Sequence, residues 1–469
     1  MVDPFLSIHH LRDNIFDTAG IQYPISIRDQ MIRGRKLVDR GFENGLINDK
    51  DKNLLVVGAG AGGVSAAIRA AVDFKVKTVI LEREVDAFVA QAQAFTRYVD
   101  PVQYDFPRDG WDAGCFPPLG TPPMPLTYLK GFGNFLVADW RKELNAAIRS
   151  ANGLLHFSPS HKVTSYNVTS DKKIQATVAP APITKGQTMQ SFLWPLDFGM
   201  AINCVGIAAE RTNIAKYSGP NFWSRDSITD LHLGTSSSPA TAVISGAGDG
   251  ALQDFIRMAT SRDTAKEVYL AIKSADPSFF STIEMKLYSL DDQCQRAYAI
   301  GGEKRHDHPL LDWMHKQTNE LADNVLADPA LKNAVKQMLR SDLPTIDLIM
   351  ECDHFDRCYA LNRLVALLLI KAIEEKTGQT VITPNHSLSD VQCVAPGSNH
   401  FKHRHDVKTN QRSGTCADPN RSSTPNVAKQ VDVVIVRHGA YAATTATIQG
   451  TPTSTRPLAR QTLPYHVND

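Results

Sequence analysis

The 469-residue sequence lacks an excess of charge of either sign, because 50 Lys and Arg residues are matched by 49 Asp and Glu residues. Broad surfaces that bind nucleic acid or anionic membranes usually carry a basic excess, so we expect neither partner. Long apolar runs are lacking as well. The longest, residues 364–370, ends at Lys371 and is far shorter than the roughly 18 residues of a membrane span. It predicts a buried helix.

Cysteine is scarce and shows no CxxC spacing, and the total of 7 is odd. A small secreted scaffold usually has an even, dense set, so a disulfide framework is not expected. The first residues contain Asp3 and no apolar run typical of a signal peptide, which favours a cytoplasmic protein. Cys352 and Cys358 could meet across a turn, but the residues between them predict a strand that enters a helix, and we do not expect a redox pair.

Sequence patterns for hydrolysis and for metal binding are also lacking. There is no GxSxG and no HExxH. Two His groups occur, one at His306 and His308, the other in a polar loop at 400–406 with His400, His403, His405 and Asp406. Neither has the paired spacing of a tetrahedral zinc site, so we predict no metal.

The strongest positive pattern is a glycine turn between a strand and a helix. Residues 54–57 form an apolar run that predicts a buried strand, and Gly58, Gly60 and Gly63 then follow GxGxxG. Gly58 permits a tight turn, Gly60 has no Cβ to block a diphosphate, and Gly63 lets the helix pack closely on the strand.

The residues around this turn complete a dinucleotide-binding unit. Backbone N–H groups at the start of the helix, near Ala61 and Gly62, can hold an anion. Residues 76–81 predict the next strand, which ends at Glu82 beside Arg83. A carboxylate at that place can accept hydrogen bonds from ribose hydroxyls. The sequence therefore predicts a dinucleotide site here.

A second strand, turn and helix begin near residue 241. Gly246, Gly248 and Gly250, with Asp249 between the last two, give GxGxG followed by Ala251. This is close to GxGxxA, so a second phosphate can lie at a second helix N-terminus.

Residues 267–272 then predict the next strand of this unit. Lys273, at its end, would favour a ribose 2′-phosphate and hence NADPH over NADH, although an exposed lysine after a strand is usually just solvated.

With both turns in place, the chain resembles flavoproteins that have two dinucleotide-binding domains, such as flavin-containing monooxygenases, N-hydroxylating monooxygenases and thioredoxin reductases. The matching segments occur in family order. Residues 56–71 with Glu82 resemble the FAD unit, and Lys162 and Val163 resemble the strand whose backbone meets the adenine. Residues 202–224, with Gly206, resemble the segment that returns from the FAD domain. Residues 244–255 resemble the NAD(P)H unit, and residues 431–439, with Gly439, resemble the closing strand.

The chain also departs from these families. The second domain has no CxxC, so the dithiol of thioredoxin reductase is lost and disulfide reduction is not expected. Arg437 and His438 replace small residues in the closing segment. There is no late GD motif of the kind that holds the flavin ribityl chain in disulfide reductases.

The resemblance implies an α/β fold with two Rossmann-like three-layer domains, a small β-meander and a helical insertion. FAD and either NADPH or NADH are the implied cofactors. The expected organisation is an N-terminal helical extension at 1–49 with an amphipathic helix at 27–46, an FAD-binding domain at 50–233, an NAD(P)-binding-like domain at 234–440 with an insertion at about 275–340, and a flexible tail at 441–469.

Residues 95–125 are rich in Pro, Gly and aromatic residues and predict an irregular, ordered loop. Such loops often line sites, which makes Arg97, Tyr104, Asp105 and Trp111 candidates to contact substrate. The alternative for each is a structural anchor, because buried Trp and Tyr in irregular segments usually pack and hydrogen-bond.

The favoured function is an FAD-dependent oxidoreductase that takes hydride from NAD(P)H, with a monooxygenase acting on a small amine or another nucleophilic molecule as one form of it. Two alternatives stay open. One is an FAD oxidase whose second fold no longer binds a nicotinamide, with Arg437 and His438 obstructing it. The other is a non-catalytic FAD or NAD(P) sensor that contacts a partner protein. Homo-oligomerisation also stays open.

Overall fold

In a computed structural model of the chain, the described residues are 3–18, 26–113, 115–116, 124–181, 190–206, 210–226, 228, 234–235, 238–301, 308–356, 358–396, 403–416, 418, 421–426, 428–439 and 448. His306, His400 and all of the predicted tail except Ile448 lie outside them.

The helices are α1 Pro4–His9, α2 Ile27–Glu43, α3 Ala61–Ile68, α4 Val89–Ala92, α5 Gly133–Ser150, α6 Asp249–Thr260, α7 Ala265–Lys273, α8 Pro277–Gly301, α9 His308–Ala327, α10 Pro329–Met338 and α11 Ala360–Thr377.

The strands are β1 His10–Arg12, β2 Ile15–Asp17, β3 Leu54–Val57, β4 Thr78–Leu81, β5 Tyr98–Val99, β6 Cys115–Phe116, β7 Tyr128–Leu129, β8 Gly131–Phe132, β9 Leu155–Ser158, β10 His161–Val168, β11 Ile174–Pro180, β12 Phe192–Leu193, β13 Met200–Asn203, β14 Asn213–Ile214, β15 Tyr217–Ser218, β16 Gly234–Thr235, β17 Ser238–Pro239, β18 Thr241–Ser245, β19 Thr345–Ile349, β20 Ile382–Thr383, β21 His386–Pro396, β22 His403–Arg412, β23 Ser423–Pro425, β24 Lys429–Val431 and β25 Val433–Val436.

The first half of the chain is built on a six-stranded sheet in the order β1-β2-β13-β3-β4-β9. All neighbours pair in parallel except β1 and β2. The residues of β3, β4 and β13 are buried along their whole length, as expected for parallel strands covered on both faces. Helices α2, α3 and α5 cover one face, and the antiparallel strands β10 and β11 cover the other. The predicted three-layer α/β architecture is confirmed.

The prediction that residues 1–49 form only a helical extension is wrong in part. Helix α2 is present, capped by Ser26 through a reciprocal capping box with Asp29. Before it, however, β1 and β2 extend the parallel sheet through pairing of β2 with β13. Two strands of three residues have too little periodicity to be recognised in a sequence, and it is the edge of β13 that orders them.

Helix α2 packs against α3 at a close contact between two glycines. A Cβ on Gly34 would lie 2.2 Å from the carbonyl oxygen of Gly62, and a Cβ on Gly62 would lie 2.8 Å from that of Gln30. The apolar residues of α2 face the same core as β3. The N-terminal segment is therefore part of the first domain, beside its glycine turn.

The second half contains a parallel four-stranded sheet in the order β20-β19-β18-β25. Helices α6, α7 and α11 pack on one face within a large apolar cluster. The antiparallel ribbon of β21, β22 and β24 covers the other face through a second cluster that includes Val243, Val391 and Val407. This half repeats the layering of the first.

The predicted strand at 267–272 is wrong, because these residues lie in helix α7. Val268, Tyr269 and Ile272 are fully buried at helical spacing, and Thr264 caps the helix by accepting the N–H of Glu267. A short apolar run fits a strand or a buried helix equally well, and here packing of α7 against α11 decides. Helices α6–α10 separate β18 from its neighbour β19 along the chain.

One further segment differs from the expected pattern. The His-rich segment was predicted as a loop, but His403 and His405 belong to strand β22, and within the described residues no group of three metal-ligating side chains occurs. No helix in the described part of the chain is long and apolar enough to cross a membrane.

Candidate dinucleotide sites

The first glycine turn connects β3 to α3 at the carboxyl edge of the first sheet. Gly58 has φ +102°, and a Cβ on it would lie 2.3 Å from the carbonyl oxygen of Cys204. A Cβ on Gly63 would lie 2.1 Å from the carbonyl oxygen of Gly58. Both positions require glycine because of this packing, as the sequence pattern predicts.

Gly60 is different, because a Cβ built there meets no atom within 4 Å. Gly206, which follows β13, also has open space beside it. The two glycines flank the gap between β3 and β13, where the chain's strand order reverses direction. Ligands of open α/β sheets bind at such a gap, and the first N–H groups of α3, from Ala61 onward, have no intrahelical acceptor there.

Glu82 lies at the same edge, one residue beyond β4. One carboxylate oxygen accepts the N–H of Ala59 at 2.6 Å and the other accepts the N–H of Glu84 at 2.8 Å. These bonds hold the side chain against the glycine turn, and an ionised carboxylate has further lone pairs for a ribose hydroxyl. Arg83 is largely exposed and pairs with Glu84 at 3.1 Å.

Val163 lies in β10, close to this carboxylate. The N–H of His161, at the start of β10, donates to the carbonyl oxygen of Glu82 at 2.7 Å. Val163 is buried and pairs with Val178 in the antiparallel ribbon. Its contact with an adenine stays a prediction.

The second glycine turn repeats the backbone geometry of the first. Gly246 has φ +135°, and a Cβ on it would lie 2.2 Å from the carbonyl oxygen of Arg437, which follows β25 as Cys204 follows β13. Gly248 is the N-cap of α6 in an extended conformation, as Gly60 is for α3. Gly439 has a positive φ and open space beside it, as Gly206 does. The two halves therefore present equivalent turns at equivalent sheet gaps.

The second turn differs in the side chains around it. Asp249 occupies the first position of α6, and its carboxylate accepts the N–H of Tyr359 and the amide of Asn362, both at 2.8 Å. Burial raises the pKa of the Asp249 carboxyl to about 7, against the lowering effect of these two donors. A Cβ on Gly250 would lie 3.4 Å from the side chain of Arg437 and 3.5 Å from the ring of Phe222.

Strand register identifies the residue of the second unit that corresponds to Glu82. In the first sheet Val57 pairs with Leu81, immediately before Glu82. In the second sheet Ser245 pairs with Ile349, so the corresponding residue is Met350.

Sequence reasoning missed this position because it took 267–272 as the neighbouring strand. Lys273 lies instead on α7, where it pairs with Glu284 at 2.6 Å, and the argument for NADPH from Lys273 is wrong.

Arg97 lies in a buried ion network that joins the loop after α4 to the second domain. Its guanidinium pairs with Asp254 and donates to the carbonyl oxygen of Phe222 at 2.6 Å. Arg437 also pairs with Asp254 at 2.8 Å, and Arg257 with Asp226 at 2.8 Å. Burial alone would raise the pKa of Asp254, but Arg97 and Arg437 outweigh it and hold that pKa at about 2. These contacts favour the structural alternative for Arg97.

The other three loop candidates are also engaged with protein. Asp105 is buried and pairs with Arg28 of α2, a fully buried cation that no sequence motif singles out. Trp111 packs in the apolar core of the second domain. The ring of Tyr104 lies 4.3 Å from that of Tyr359, centroid to centroid, between the two glycine turns. Substrate contact stays a prediction for these residues.

The cysteine pairing differs from the one considered from sequence. Cys352 forms a disulfide with Cys416, and Cys358 is a buried thiol. Their separation of 64 residues carries no local signal. Cys204 is a buried thiol after β13.

No protein-family model and no curated protein sequence matches the chain. Among solved structures it is similar to a thioredoxin reductase from Lactococcus lactis, with 11% identity, 83% of this chain and 78% of that one covered, and a TM-score of 0.35. It is similar to an FAD-bound cadaverine monooxygenase from Erwinia amylovora, with 12% identity, 86% and 81% covered, and a TM-score of 0.37. It is also similar to an L-lysine 6-monooxygenase from Pseudomonas syringae, with 13% identity, 83% and 81% covered, and a TM-score of 0.35. These likenesses are too distant to identify a substrate.

Proposed function

We propose that the protein is an FAD-dependent oxidoreductase that uses a nicotinamide nucleotide, NADPH or NADH, as its reductant. The observation that carries the proposal is the first glycine turn, where Gly58 and Gly63 are fixed by packing while Gly60 faces open space at a switch point of the sheet. A glycine needed only for packing would have an atom against its missing Cβ, and Gly60 has none.

The residues at this edge fit an adenine dinucleotide. The N–H groups from Ala61 onward would hold the diphosphate, and Glu82, already fixed by Ala59, would accept a ribose hydroxyl. The start of β10, bonded to the backbone of Glu82, would lie beside the adenine. FAD, when bound, supplies hydride and single-electron chemistry, and the protein supplies its position and the exclusion of water.

The second turn supports a second dinucleotide, because Gly246 and Gly248 repeat the backbone conformation of Gly58 and Gly60, and Gly439 has open space beside it as Gly206 does. The ion pair of Arg97 with Asp254 links the loop after the first unit to the helix of the second turn, so dinucleotides at the two turns would place a nicotinamide and a flavin in one interdomain region. On the acceptor side we propose a monooxygenase acting on a small amine or another nucleophilic molecule, on the strength of the motif order and the absence of a CxxC dithiol. A cytoplasmic location belongs to the same proposal.

The test is the visible spectrum of the purified protein, followed by anaerobic addition of NADPH and then NADH. We expect a flavin band near about 450 nm that bleaches with at least one reductant, because the cofactor's chemistry is the readout. A yellow protein that neither nucleotide bleaches would favour the FAD oxidase, if it turns over with an electron donor of another class, or the sensor, if it does not. A colourless protein that cannot be reconstituted with FAD would overturn the proposal.

A further inference from the structure

We propose that residues 95–113, which follow α4, form a clasp that fixes the two dinucleotide-binding domains in one relative orientation, so that neither domain rotates on the other during turnover. The clasp precedes α5 in the chain and belongs to the first domain, but its side chains are anchored in both domains. These contacts do not depend on what either turn binds, whereas their consequence for hydride transfer rests on the proposed function.

The first half of the clasp is anchored in the first domain. Val99 and Val102 lie in the apolar core that α2, α3 and α5 share with the six-stranded sheet. Strand β5 of the clasp pairs with β8. The buried guanidinium of Arg28 donates to the carbonyl oxygen of Pro101 at 3.1 Å and pairs with Asp105. The clasp is therefore held to α2 and β8 as far as residue 105.

The second half of the clasp is anchored in the core of the second domain. Phe106 and Trp111 are buried there, within the apolar cluster that contains α6, α7 and α11. The ring centroid of Tyr269, on α7, lies 4.8 Å from that of Phe106 and 5.5 Å from that of Trp111. Aromatic side chains of this size dominate the energetics of cores and interfaces. One loop thus contributes residues to two separate cores.

A buried lysine of the second domain also holds the clasp. The ammonium group of Lys266, on α7, donates to the carboxylate of Asp100 at 2.9 Å. It also donates to the carbonyl oxygens of Trp111 at 3.2 Å and Ala113 at 3.4 Å. An ammonium has three donors, and these three find acceptors in the clasp. Because Lys266 and Asp100 are both buried, a movement that separated them would leave two unpaired charges away from water, which is strongly unfavourable.

Helix α6, which begins at the second glycine turn, is held to the start of the clasp. Arg97 pairs with Asp254 through two nitrogens, the second at 3.2 Å. Arg257 donates to the carbonyl oxygen of Thr96 at 3.1 Å. Asp254, Arg97 and Arg257 are all buried. Since bidentate and charge-assisted hydrogen bonds are directional, these contacts fix the angle of α6 as well as its distance.

The clasp differs from an ordinary contact between domains. Such contacts are usually polar and permit relative motion unless they are large and hydrophobic. Here a rotation would have to withdraw two aromatic side chains from a core and break buried ion pairs on both α6 and α7. A nicotinamide and a flavin at the two turns would therefore have to meet in the arrangement that the structure shows.

The experiment measures the distance between one label on each domain. Lys142→Cys on α5 and Lys376→Cys on α11 place gadolinium chelates at exposed positions, and Cys393→Ser removes the exposed native thiol. Pulsed electron paramagnetic resonance gives the distance in the oxidised protein, after addition of NADP+ or NAD+, and after anaerobic reduction by dithionite. We expect one narrow distribution whose mean changes by less than about 2 Å among these states, because domain rearrangements exceed that value.

Two variants test the clasp itself. Lys266→Met combined with Trp111→Ala removes the ammonium and one aromatic anchor, and its distance distribution should widen because the domains then sample several orientations. The matched control is Lys273→Met on the same helix, whose ammonium pairs with Glu284 within the second domain at 2.6 Å. It should leave the distribution unchanged. Thermal midpoints show which variants are folded, and if the double variant does not fold, the wild-type distances decide alone.

A wild-type mean that shifts by more than about 2 Å, or two separate distances, overturns the inference. So does a folded double variant whose distribution is as narrow as that of the wild type. Absence of FAD from the protein counts against the proposed function instead, and the distances in the flavin-free protein with and without NADP+ still test the clasp.

Discussion

The substitution Gly60→Ala separates a ligand-binding glycine from a packing glycine within one turn. A Cβ at Gly60 meets no atom of the protein within 4 Å, and its φ of −77° suits alanine. The protein without ligand should therefore fold, with a cost of about 0.5–1 kcal/mol for a poorer N-cap. Gly63→Ala should instead destabilise the fold of the ligand-free protein, because its Cβ would lie 2.1 Å from the carbonyl oxygen of Gly58.

The effect of Gly60→Ala on FAD should be much larger than its effect on folding. The added methyl group occupies the space through which a diphosphate approaches the first N–H groups of α3. Loss of one or two hydrogen bonds to a charged group costs about 2–5 kcal/mol, which corresponds to a Kd raised roughly 30- to 5000-fold.

The assay combines the flavin absorbance of the purified protein, fluorescence titration of the flavin-free protein with FAD, and the thermal unfolding midpoint. Gly131→Ala is the matched control, because a Cβ at Gly131 also meets no atom within 4 Å but lies away from the turn. It should leave both FAD affinity and stability unchanged. An alanine at position 60 that binds FAD as tightly as the wild type would falsify the assignment of this turn.

Three further predictions concern charges and the disulfide. In a urea titration, Asp254→Asn should lower the free energy of unfolding by about 3–5 kcal/mol, because Arg97 and Arg437 lose their buried carboxylate. Asp171→Asn, on an exposed turn, is the control and should have little effect. Because folding lowers the pKa of Asp254 from 3.8 to about 2, the stability that its carboxylate contributes should be complete above about pH 4 and lost as the pH falls toward 2. An equal loss of stability with falling pH in the wild type and the Asn variant would contradict this. The carboxyl of Asp249, with a pKa of about 7, loses its proton as the pH rises and then repels a diphosphate, so NADP+ should bind wild type more weakly above pH 7. The NADP+ affinity of Asp249→Asn should lack this dependence on pH. A ratio of wild-type to variant affinity that stays constant from pH 6 to 8 would rule out the effect of the Asp249 charge. Reduction of the Cys352–Cys416 disulfide by a dithiol should lower the free energy of unfolding by about 2–4 kcal/mol in the same urea titration, and a reduced protein of undiminished stability would contradict this.

The sequence alone determined the first dinucleotide unit, because its signal is local. Strand, turn and helix lie within a few residues of one another, so the spacing of Gly58, Gly60 and Gly63 identifies the unit before its distant contacts, such as that of Gly58 with Cys204, are known. The second turn was recognisable for the same reason, and so was the amphipathic pattern of α2.

Tertiary structure alone decided the features that depend on contacts between distant segments. Packing against α11 made residues 267–272 a helix, and this moved the ribose end of the second unit from Lys273 to Met350. The edge of β13 ordered β2, and the burial of Asp254 drew Arg97 into an interdomain ion pair. Short apolar runs and single charged residues carry no information about their partners, since the fold alone brings those partners together.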